Sequence, residues 1–382
     1  MVPERAPFSE QSLQVGNLGI IAMESCKDLA EKVDAWLRDF RSEHRNGNNS
    51  SFIVKSRVPR FGNGEAKGII DESIRGMDLY ILLDVGNYSC TYNFMGKTNS
   101  MSPDDHFQDL KRIISAAAGK AKRINVIMPF LYGGRQHKRM VRESLDCAVA
   151  LQELENLNVT NIITFDAHDA RVHNAIPFTG FENIMPYYQF TKSLLRTVPD
   201  IKIDKDNLMV VSPDEGGIHR NIYFSSTFGL DLGVFYKRRD FTRLVNGRNP
   251  IVAHEFIGGD VEGKDVLVCD DMISSGDSVL DIAQELKKRK ARRIFVMTTY
   301  ALFTDGVDAF QKAYESGILD RVFSTNLTYR RPELADCEWF TEVDMSKYIA
   351  KIIDQLNYDE SLGNLIDPSQ RITNLLEKFP KN

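Results

Sequence analysis

The stretch "VLVCDDMISSGDS", residues 266 to 278, joins an apolar run to two adjacent carboxylates and then to a loop of serines and glycine. Small residues let backbone N–H groups approach an anion, and a following helix adds the positive end of its dipole. Carboxylates would repel a bare phosphate, but they accept hydrogen bonds from sugar hydroxyls and bind Mg²⁺. The stretch therefore predicts a sugar phosphate as ligand. It is not a P-loop of nucleoside triphosphatases, because no Gly-Lys-Ser/Thr follows.

Similar apolar runs, rich in Val, Ile and Phe, recur along the whole chain. They span residues 18–23, 79–85, 124–130, 161–168, 208–214, 232–237, 265–271, 293–300 and 322–326. They resemble strands buried on both faces. Stretches of helical period lie between several of them, for example Leu29, Val33, Trp36, Leu37 and Phe40, or Val279, Ile282, Ala283 and Leu286. The alternation predicts an α/β fold of mainly parallel sheets flanked by helices.

The length of 382 residues leaves room for two domains, at about 150 residues each. Strand character is lost around 186–205, which favours a boundary there. We expect a tail over 1–16, domains over 17–195 and 196–368, and a second tail over 369–382. The polar stretch 87–105 is expected to be a long surface loop.

Composition excludes several classes of protein. A formal net charge of -5 gives no general attraction to nucleic acid. The five cysteines are scattered and include no CxxC pair, which argues against a disulfide framework or a structural zinc site. No apolar run approaches the roughly 18 residues that span a bilayer, and the N-terminus lacks the order of a signal peptide. We expect a cytoplasmic protein that binds neither nucleic acid nor membrane.

Several predicted strands end in polar residues, and the carboxyl edge of an open parallel sheet is where ligands bind. These residues are Asp166, His168, Asp214, Lys237, Asp270 and Asp271. Lys237 and Arg239 are one residue apart, so in extended backbone both side chains project to the same side. There they would straddle a polyphosphate.

The serine loop resembles the ribose-5-phosphate loop of the phosphoribosyltransferase fold. Further segments occur in the order and spacing of the ribose-phosphate pyrophosphokinase family: "FGNGEAKGIIDESIRGMDLYIL" (61–82), "MPFLYGGRQ" (128–136), "TFDAHDA" (164–170), "VSPDEGGIHR" (211–220), "FYKRRDF" (235–241) and "YDESLGNLID" (358–367). The resemblance covers about residues 17–368. It implies two phosphoribosyltransferase-type domains, the first on the ATP side and the second on the ribose 5-phosphate side. It also implies transfer of pyrophosphate from Mg-ATP to the 1-hydroxyl of ribose 5-phosphate, which gives phosphoribosyl pyrophosphate and AMP.

The same resemblance implies roles for particular residues. The catalytic set is Lys237, Arg239 and His168, and the ATP-binding set is Phe61, Asn63, Glu65, Arg135, Gln136 and His168. The ribose 5-phosphate set is Asp214, Asp270, Asp271, Ser274, Ser275, Gly276, Asp277 and Ser278. His168 and Asp214 are the implied ligands of Mg²⁺. The loop of Phe61 serves a neighbouring subunit in this family, which implies a homo-oligomer, either a dimer or a hexamer.

The sequence departs from the family at several positions, and two alternatives remain open. Asn63 stands where the family usually has Asp, Ser274 replaces a common Asp, and "MTTYALF" (297–303) lacks the usual His-Gly. The serine-rich loop also suits a phosphoribosyltransferase that consumes phosphoribosyl pyrophosphate. A non-catalytic subunit that regulates an active synthetase is the second alternative, although the retained Lys237 and Arg239 argue against it.

Overall fold

The computed structural model describes residues 13–44, 50–239 and 251–379, with the backbone alone at His44, 237–239 and 251–254. The strands are β1 (Asn17–Ala22), β2 (Ser56–Arg57), β3 (Ile69–Ile70), β4 (Met77–Leu82), β5 (Thr91–Phe94), β6 (Lys97–Ser100), β7 (Arg123–Ile127), β8 (Asn161–Phe165), β9 (Gly180–Ile184), β10 (Leu208–Ser212), β11 (Leu232–Arg239), β12 (Ile251–Ile257), β13 (Asp265–Ile273), β14 (Ile294–Ala301), β15 (Arg321–Thr325) and β16 (Phe340–Val343). The α-helices are α1 (Lys27–His44), α2 (Pro103–Ala117), α3 (Asp146–Asn156), α4 (Tyr187–Thr197), α5 (Ile218–Phe228), α6 (Asp277–Lys288), α7 (Asp308–Glu315), α8 (Ser346–Asn357), α9 (Gly363–Ile366) and α10 (Ser369–Lys378).

The chain forms two compact units. The first contains the described residues up to Met185 together with Leu327–Tyr329 and Met345–Asp367, and the second contains Pro186–Asn326, Arg330–Asp344 and the described residues from Pro368. The units differ from the predicted ranges: α4 lies in the second unit, and α8 lies in the first. α8 belongs there because it packs against α1.

The first unit is built on a parallel sheet. Among the described residues this sheet has five strands in the order β1-β4-β7-β8-β9, and every neighbouring pair is parallel. Apolar side chains of β4 and β7 pack with those of α2 and α3 in one core. Continuous burial of residues 78–82 explains why β4 has no polar alternation.

The second unit is built on a larger sheet. Its described strands follow the order β12-β11-β10-β13-β14-β15-β16, and all neighbouring pairs are parallel except β11 and β12, which are antiparallel. The apolar faces of α6 and α7 pack on one core with Phe303 and Trp339. α10 packs against α4 and α5. The predicted fold class, parallel sheets flanked by helices, is confirmed.

Each sheet has a buried aspartate at the start of an inner strand. Asp78 is the second residue of β4 and receives two hydrogen bonds of 2.8 Å from Arg123 on β7. Asp265 opens β13 and accepts hydrogen bonds from Arg292 and Arg293, just before β14. Both carboxylates are fully buried, so each depends on its arginine partners for compensation. This arrangement recurs in both units.

The nine predicted strands are confirmed, whereas β2, β3, β5, β6, β9, β12 and β16 were not predicted. The stretch 87–105 is largely exposed, although Met101 is buried. The prediction of a long loop is wrong, since the stretch contains the β5–β6 hairpin and the start of α2. A two-residue turn closes the hairpin, with positive φ at Met95 (49°) and Gly96 (78°). Within the described ranges, no helix is both long and apolar enough to cross a membrane.

Candidate active site

The carboxyl ends of β10, β11 and β13 meet at one edge of the second unit's sheet. Val211 on β10 is level with Gly233 on β11 and with Val268 on β13. Asp214 follows the carboxyl end of β10. Lys237 on β11 and Asp271 on β13 lie toward the same edge of the sheet. The register between β11 and β12 shifts between Arg238 and Arg239. The side chains of Lys237 and Arg239 lie outside the described part, so their common projection stays a prediction.

A group of carboxylates lies at this edge. Asp271 is 5% exposed, and Asp270 is half-buried beside it. Burial, followed by the negative charge of Asp271, raises the pKa of Asp270, and Asp214 adds to the rise. Arg220 on α5 opposes it, with Nη1 3.9 Å from Asp270 Oδ1. The carboxylates thus repel one another, which suits a ligand that brings hydroxyl donors or a cation.

Asn221 holds the ends of β10 and β13 together. Its buried side-chain amide donates to the carbonyl of Cys269 on β13 at 2.8 Å and to that of Gly217 at 2.8 Å. The N–H of Gly217 in turn donates to Asp214 Oδ1 at 3.0 Å. Asn221 therefore fixes the turn that carries Asp214 against the strand that carries Asp270. Sequence reasoning did not select Arg220 or Asn221, although Arg220 ends the quoted segment "VSPDEGGIHR".

The serine loop follows β13 directly and leads into α6. Gly276 has φ +101°, and a Cβ there would lie 2.2 Å from Cε2 of Phe310, so only glycine fits. Gly276 occupies the N-cap of α6 and has no side chain to accept from the first-turn N–H groups. Ser275 Oγ donates to Asp277 Oδ2 at 3.1 Å, and Asp277 and Ser278 are exposed. The N–H of Asp277 donates to Ser275 Oγ at 3.5 Å, a long bond that an anion could replace. A helix start without a capping side chain and beside hydroxyls suits a phosphate.

A second group of predicted site residues lies in the first unit, at the end of β8. Asp166 is buried and has φ +41°, which is rare for a residue other than glycine. Its N–H donates to the carbonyl of Ile184, and the N–H of Ala167 donates to Asn183 Oδ1 at 2.9 Å. These bonds to β9 turn the chain so that His168 is exposed.

The loop after β7 brings further polar residues to His168. The ring centroids of His137 and His168 are 5.3 Å apart, and His137 Nε2 is 3.5 Å from Asp169 Oδ2. Burial lowers the pKa of His137, although Asp169 opposes the shift. Hydrogen bonds from Arg171 hold the pKa of Asp169 well below its usual range. Sequence reasoning missed His137 and Asp169, which follow the predicted residues directly.

The predicted pair Arg135 and Gln136 lies on the same loop as His137. Gln136 N donates to the carbonyl of Gly133, and its side chain donates to the carbonyl of Ser144 at 3.3 Å. Gly133 has φ +67°, as the tight turn requires. The loop thus presents the exposed Arg135 beside a histidine pair.

Phe61, Asn63 and Glu65 lie together on one short turn of the first unit. Phe61 N donates to the carbonyl of Glu65 at 2.7 Å, and Asn63 Oδ1 accepts from Glu65 N at 3.2 Å. The Asn63 amide also donates to Glu65 Oε2 at 3.0 Å. All three residues are exposed, and the Phe61 ring is 52% exposed.

Mg²⁺ was expected, and its proposed ligands differ in how well they fit. No group of three or more His, Cys, Asp and Glu side chains in the described ranges is arranged to hold a metal ion. Mg²⁺ on a nucleotide commonly takes one or two protein carboxylates together with phosphate oxygens and water. Asp214 fits this donor set, whereas the imidazole of His168 is a less typical ligand.

Comparison with known proteins decides the family. Residues 18–157 match the N-terminal domain of ribose phosphate pyrophosphokinase, and residues 244–367 match the phosphoribosyl synthetase-associated domain. The chain belongs to the ribose-phosphate pyrophosphokinase family. The ribose-phosphate pyrophosphokinase of Vibrio cholerae is 27% identical over 81% of this chain and 90% of the relative. That of Mycoplasma pneumoniae is 27% identical over 77% of this chain and 82% of the relative.

A solved structure supports the fold of this pyrophosphokinase family member. The phosphoribosylpyrophosphate synthetase of Mycobacterium smegmatis superposes with a TM-score of 0.72 and 21% identity, covering 90% of this chain and 99% of that one. The predicted phosphoribosyltransferase-type fold is therefore confirmed. The roles of the individual site residues remain predictions.

Proposed function

We propose that the protein transfers the pyrophosphoryl group of Mg-ATP to the 1-hydroxyl of ribose 5-phosphate, which yields phosphoribosyl pyrophosphate and AMP. The observation that carries the proposal is the edge where Asp214, Asp270 and Asp271 meet the serine loop at the start of α6. A ligand with a phosphate at one end and hydroxyls at the other matches this edge. Ribose 5-phosphate has both groups.

The serine loop would bind the 5-phosphate, with the N–H groups at the start of α6 and the hydroxyls of Ser274, Ser275 and Ser278 as donors. Asp270 and Asp271 would accept hydrogen bonds from the ribose hydroxyls. These bonds would offset the repulsion between the two carboxylates. The pentose is thereby oriented before the reaction, and orientation of the attacking hydroxyl lowers the barrier.

Lys237 and Arg239 would stabilise the transferred group. Pyrophosphoryl transfer builds negative charge on oxygens of the β-phosphate, so fixed cations stabilise the transition state more than the ground state. Support comes from β11, which neighbours β10 and carries both residues toward the edge of Asp214. His168, Arg135, Gln136 and the Phe61 turn would bind ATP.

Mg²⁺ would neutralise the triphosphate and polarise it toward attack when bound. Asp214 and His168 are its proposed protein ligands. Asp214 is held in place by the N–H of Gly217, which donates to its Oδ1 at 3.0 Å.

Two further features are proposed with the activity. A homo-oligomer is supported by the exposure of the Phe61 ring, since a large exposed aromatic suits contact with another subunit. A cytoplasmic location is supported by the five cysteines, which are all free.

Two substitutions test the site in an assay of AMP formation from ATP, Mg²⁺ and ribose 5-phosphate. We expect Lys237→Ala to lower kcat by about 10²–10³-fold, because it removes a charge that acts in the transition state. We expect Asp271→Asn to raise the KM for ribose 5-phosphate by about tenfold, through one weakened charged hydrogen bond.

Lys205→Ala and Asp231→Asn are matched controls. These residues form an exposed pair 3.5 Å apart, beside the amino ends of β10 and β11, at the opposite edge of the sheet. Both controls should behave as wild type. A wild-type protein that forms no AMP contradicts the proposed function. Variants at Lys237 and Asp271 that match the wild type contradict the site alone.

A further inference from the structure

The β5–β6 hairpin is an exposed element that touches the turn of Phe61, Asn63 and Glu65. Of the described residues 91–100, Tyr92 and Asn99 are partly buried and the others are exposed. An isolated two-stranded hairpin is at best marginally stable in water, so such an element adds little to a core. The role of the hairpin is therefore sought in its contacts with the neighbouring turn and not in the stability of a core.

Three contacts join the hairpin to the turn. Met95 N donates to the carbonyl of Gly62 at 3.0 Å. The ring of Phe94 lies on Gly64, where an added Cβ would approach Cδ2 to 2.8 Å. The guanidinium of Arg60 stacks over the ring of Tyr92 at 4.4 Å.

Arg60 extends this contact to the body of the first unit. Its Nη2 donates to Asp109 Oδ2 at 2.9 Å, and Asp109 lies on α2. Arg60 also pairs with Ala66 across the base of the turn as an isolated antiparallel bridge. The turn is thus held from α2 at its base and from the hairpin at its tip.

The two faces of the hairpin are chemically different. Tyr92 and Phe94 alternate onto one face, which is the face that meets the turn. Asn93 and Thr98 pair across the strands on the other face, where Thr98 Oγ1 donates to Asn93 Oδ1 at 3.2 Å. Aromatic side chains are therefore concentrated on the face toward the turn.

We propose that the β5–β6 hairpin is a positioning element that holds the Phe61 turn in the conformation that receives the nucleotide base. This inference rests on the proposed function, in which that turn binds ATP. A turn that is ordered before binding loses less conformational entropy when the nucleotide arrives. The hairpin therefore sets the KM for ATP without touching the reacting atoms.

The test uses Phe94→Ala and Tyr92→Ala in the full-length chain. We expect each to raise the KM for ATP by about tenfold, with kcat and the KM for ribose 5-phosphate within about twofold of wild type. Hydrogen exchange at the amides of Phe61 and Gly64 should accelerate, since their bonds within the turn open more often. Tyr92→Phe keeps the ring over Arg60 and should restore the wild-type KM.

Asn93→Ala and Thr98→Ala are the matched controls on the opposite face. They remove one exposed hydrogen bond of the hairpin and should leave the KM for ATP unchanged. A further variant replaces residues 91–100 by two glycines. Cys90 and Met101 are already joined by a 2.8 Å backbone hydrogen bond, so the shortened chain closes there. It should reproduce the effect of Phe94→Ala.

The outcomes separate the inference from the proposed function. An active wild type whose Phe94 and Tyr92 variants retain the wild-type KM for ATP overturns the inference alone. An equal effect of the Asn93 and Thr98 variants also overturns it, because contact of the aromatic face with the turn would then not be what sets the KM for ATP. A wild type that forms no AMP overturns the proposed function, and the ATP role of the hairpin with it.

Discussion

Two buried aspartates of the first unit are compensated in different ways. Asp78 forms a two-bond ion pair with Arg123. Asp84, just after β4, accepts instead from neutral groups: Gly86 N at 2.8 Å, Tyr329 N at 2.7 Å and Thr328 Oγ1 at 3.0 Å. Burial outweighs these bonds and raises the pKa of Asp84 to about 6. Ionisation of Asp84 is therefore less favourable in the folded protein than in the unfolded chain.

This shift makes stability depend on pH. A carboxyl whose folded pKa is about 6 and whose unfolded pKa is about 4 destabilises the fold progressively as the pH rises from 4 to above 6. We expect Asp84→Asn, which cannot ionise, to lack this part of the pH dependence. Urea midpoints measured from pH 4.5 to 7.5 should fall less steeply for the variant than for wild type. Parallel profiles would show that Asp84 ionises as easily in the fold as in the unfolded chain.

Among the elements, α2 connects a local sequence signal to the candidate site. Ser102 Oγ accepts from Asp105 N at 3.2 Å, and Asp105 Oδ2 accepts from Ser102 N at 2.9 Å, which completes a capping box. Pro103 follows at the first helical position, where its missing N–H costs nothing. The same helix carries Asp109, which holds Arg60 at the base of the Phe61 turn.

Removal of the cap tests how much it stabilises the first unit. We expect Ser102→Ala to lower the free energy of unfolding by about 1 kcal/mol, because the N–H of Asp105 loses its acceptor. Ser102→Thr keeps the hydroxyl acceptor and should remain near wild type. The measurement is urea unfolding followed by circular dichroism. If the alanine and threonine variants unfold at the same midpoint, the box does not stabilise α2.

In the molecule as a whole, the proposed site residues fall into two groups, one in each unit. The first unit carries His168, Arg135 and the Phe61 turn, and the second carries the carboxylates and the serine loop. The Phe61 turn is exposed on its own unit. In the proposed homo-oligomer this turn serves the site of another subunit.

Mixed subunits test that arrangement. We expect Phe61→Ala and Asp271→Asn to be impaired alone, and mixtures that are dissociated and reassembled together to recover activity. A subunit with intact carboxylates then receives an intact Phe61 turn from its neighbour. Random assembly limits the recovery to about a quarter of wild-type activity. Mixtures that show only the sum of the two separate activities would place the turn in its own subunit's site.

Local pattern was sufficient for much of the fold and for part of the site. The run 265–271 predicted β13, and the Ser-Ser-Gly order predicted the loop in which Gly276 adopts φ +101°. Arg220 and Asn221 were missed because they lie on a helix with no distinctive sequence pattern. They reach Asp270 and the carbonyl of Cys269 only because α5 packs beside the ends of β10 and β13. The hairpin was missed because the alternation of Tyr92 and Phe94 spans only four residues, and the partner strand β6 (Lys97–Ser100) is entirely polar.

The sequence by itself determined the nine apolar strands, the apolar faces of helices between them and the serine loop, because burial, helical period and positive φ are each encoded within a few neighbouring residues. Tertiary structure alone decided that α8 packs against α1, that Arg220 faces Asp270, and that the rings of Tyr92 and Phe94 cover the Phe61 turn. These are contacts between segments distant in the chain. Local chemistry leaves many such pairings open, and only the packing of whole elements selects one of them.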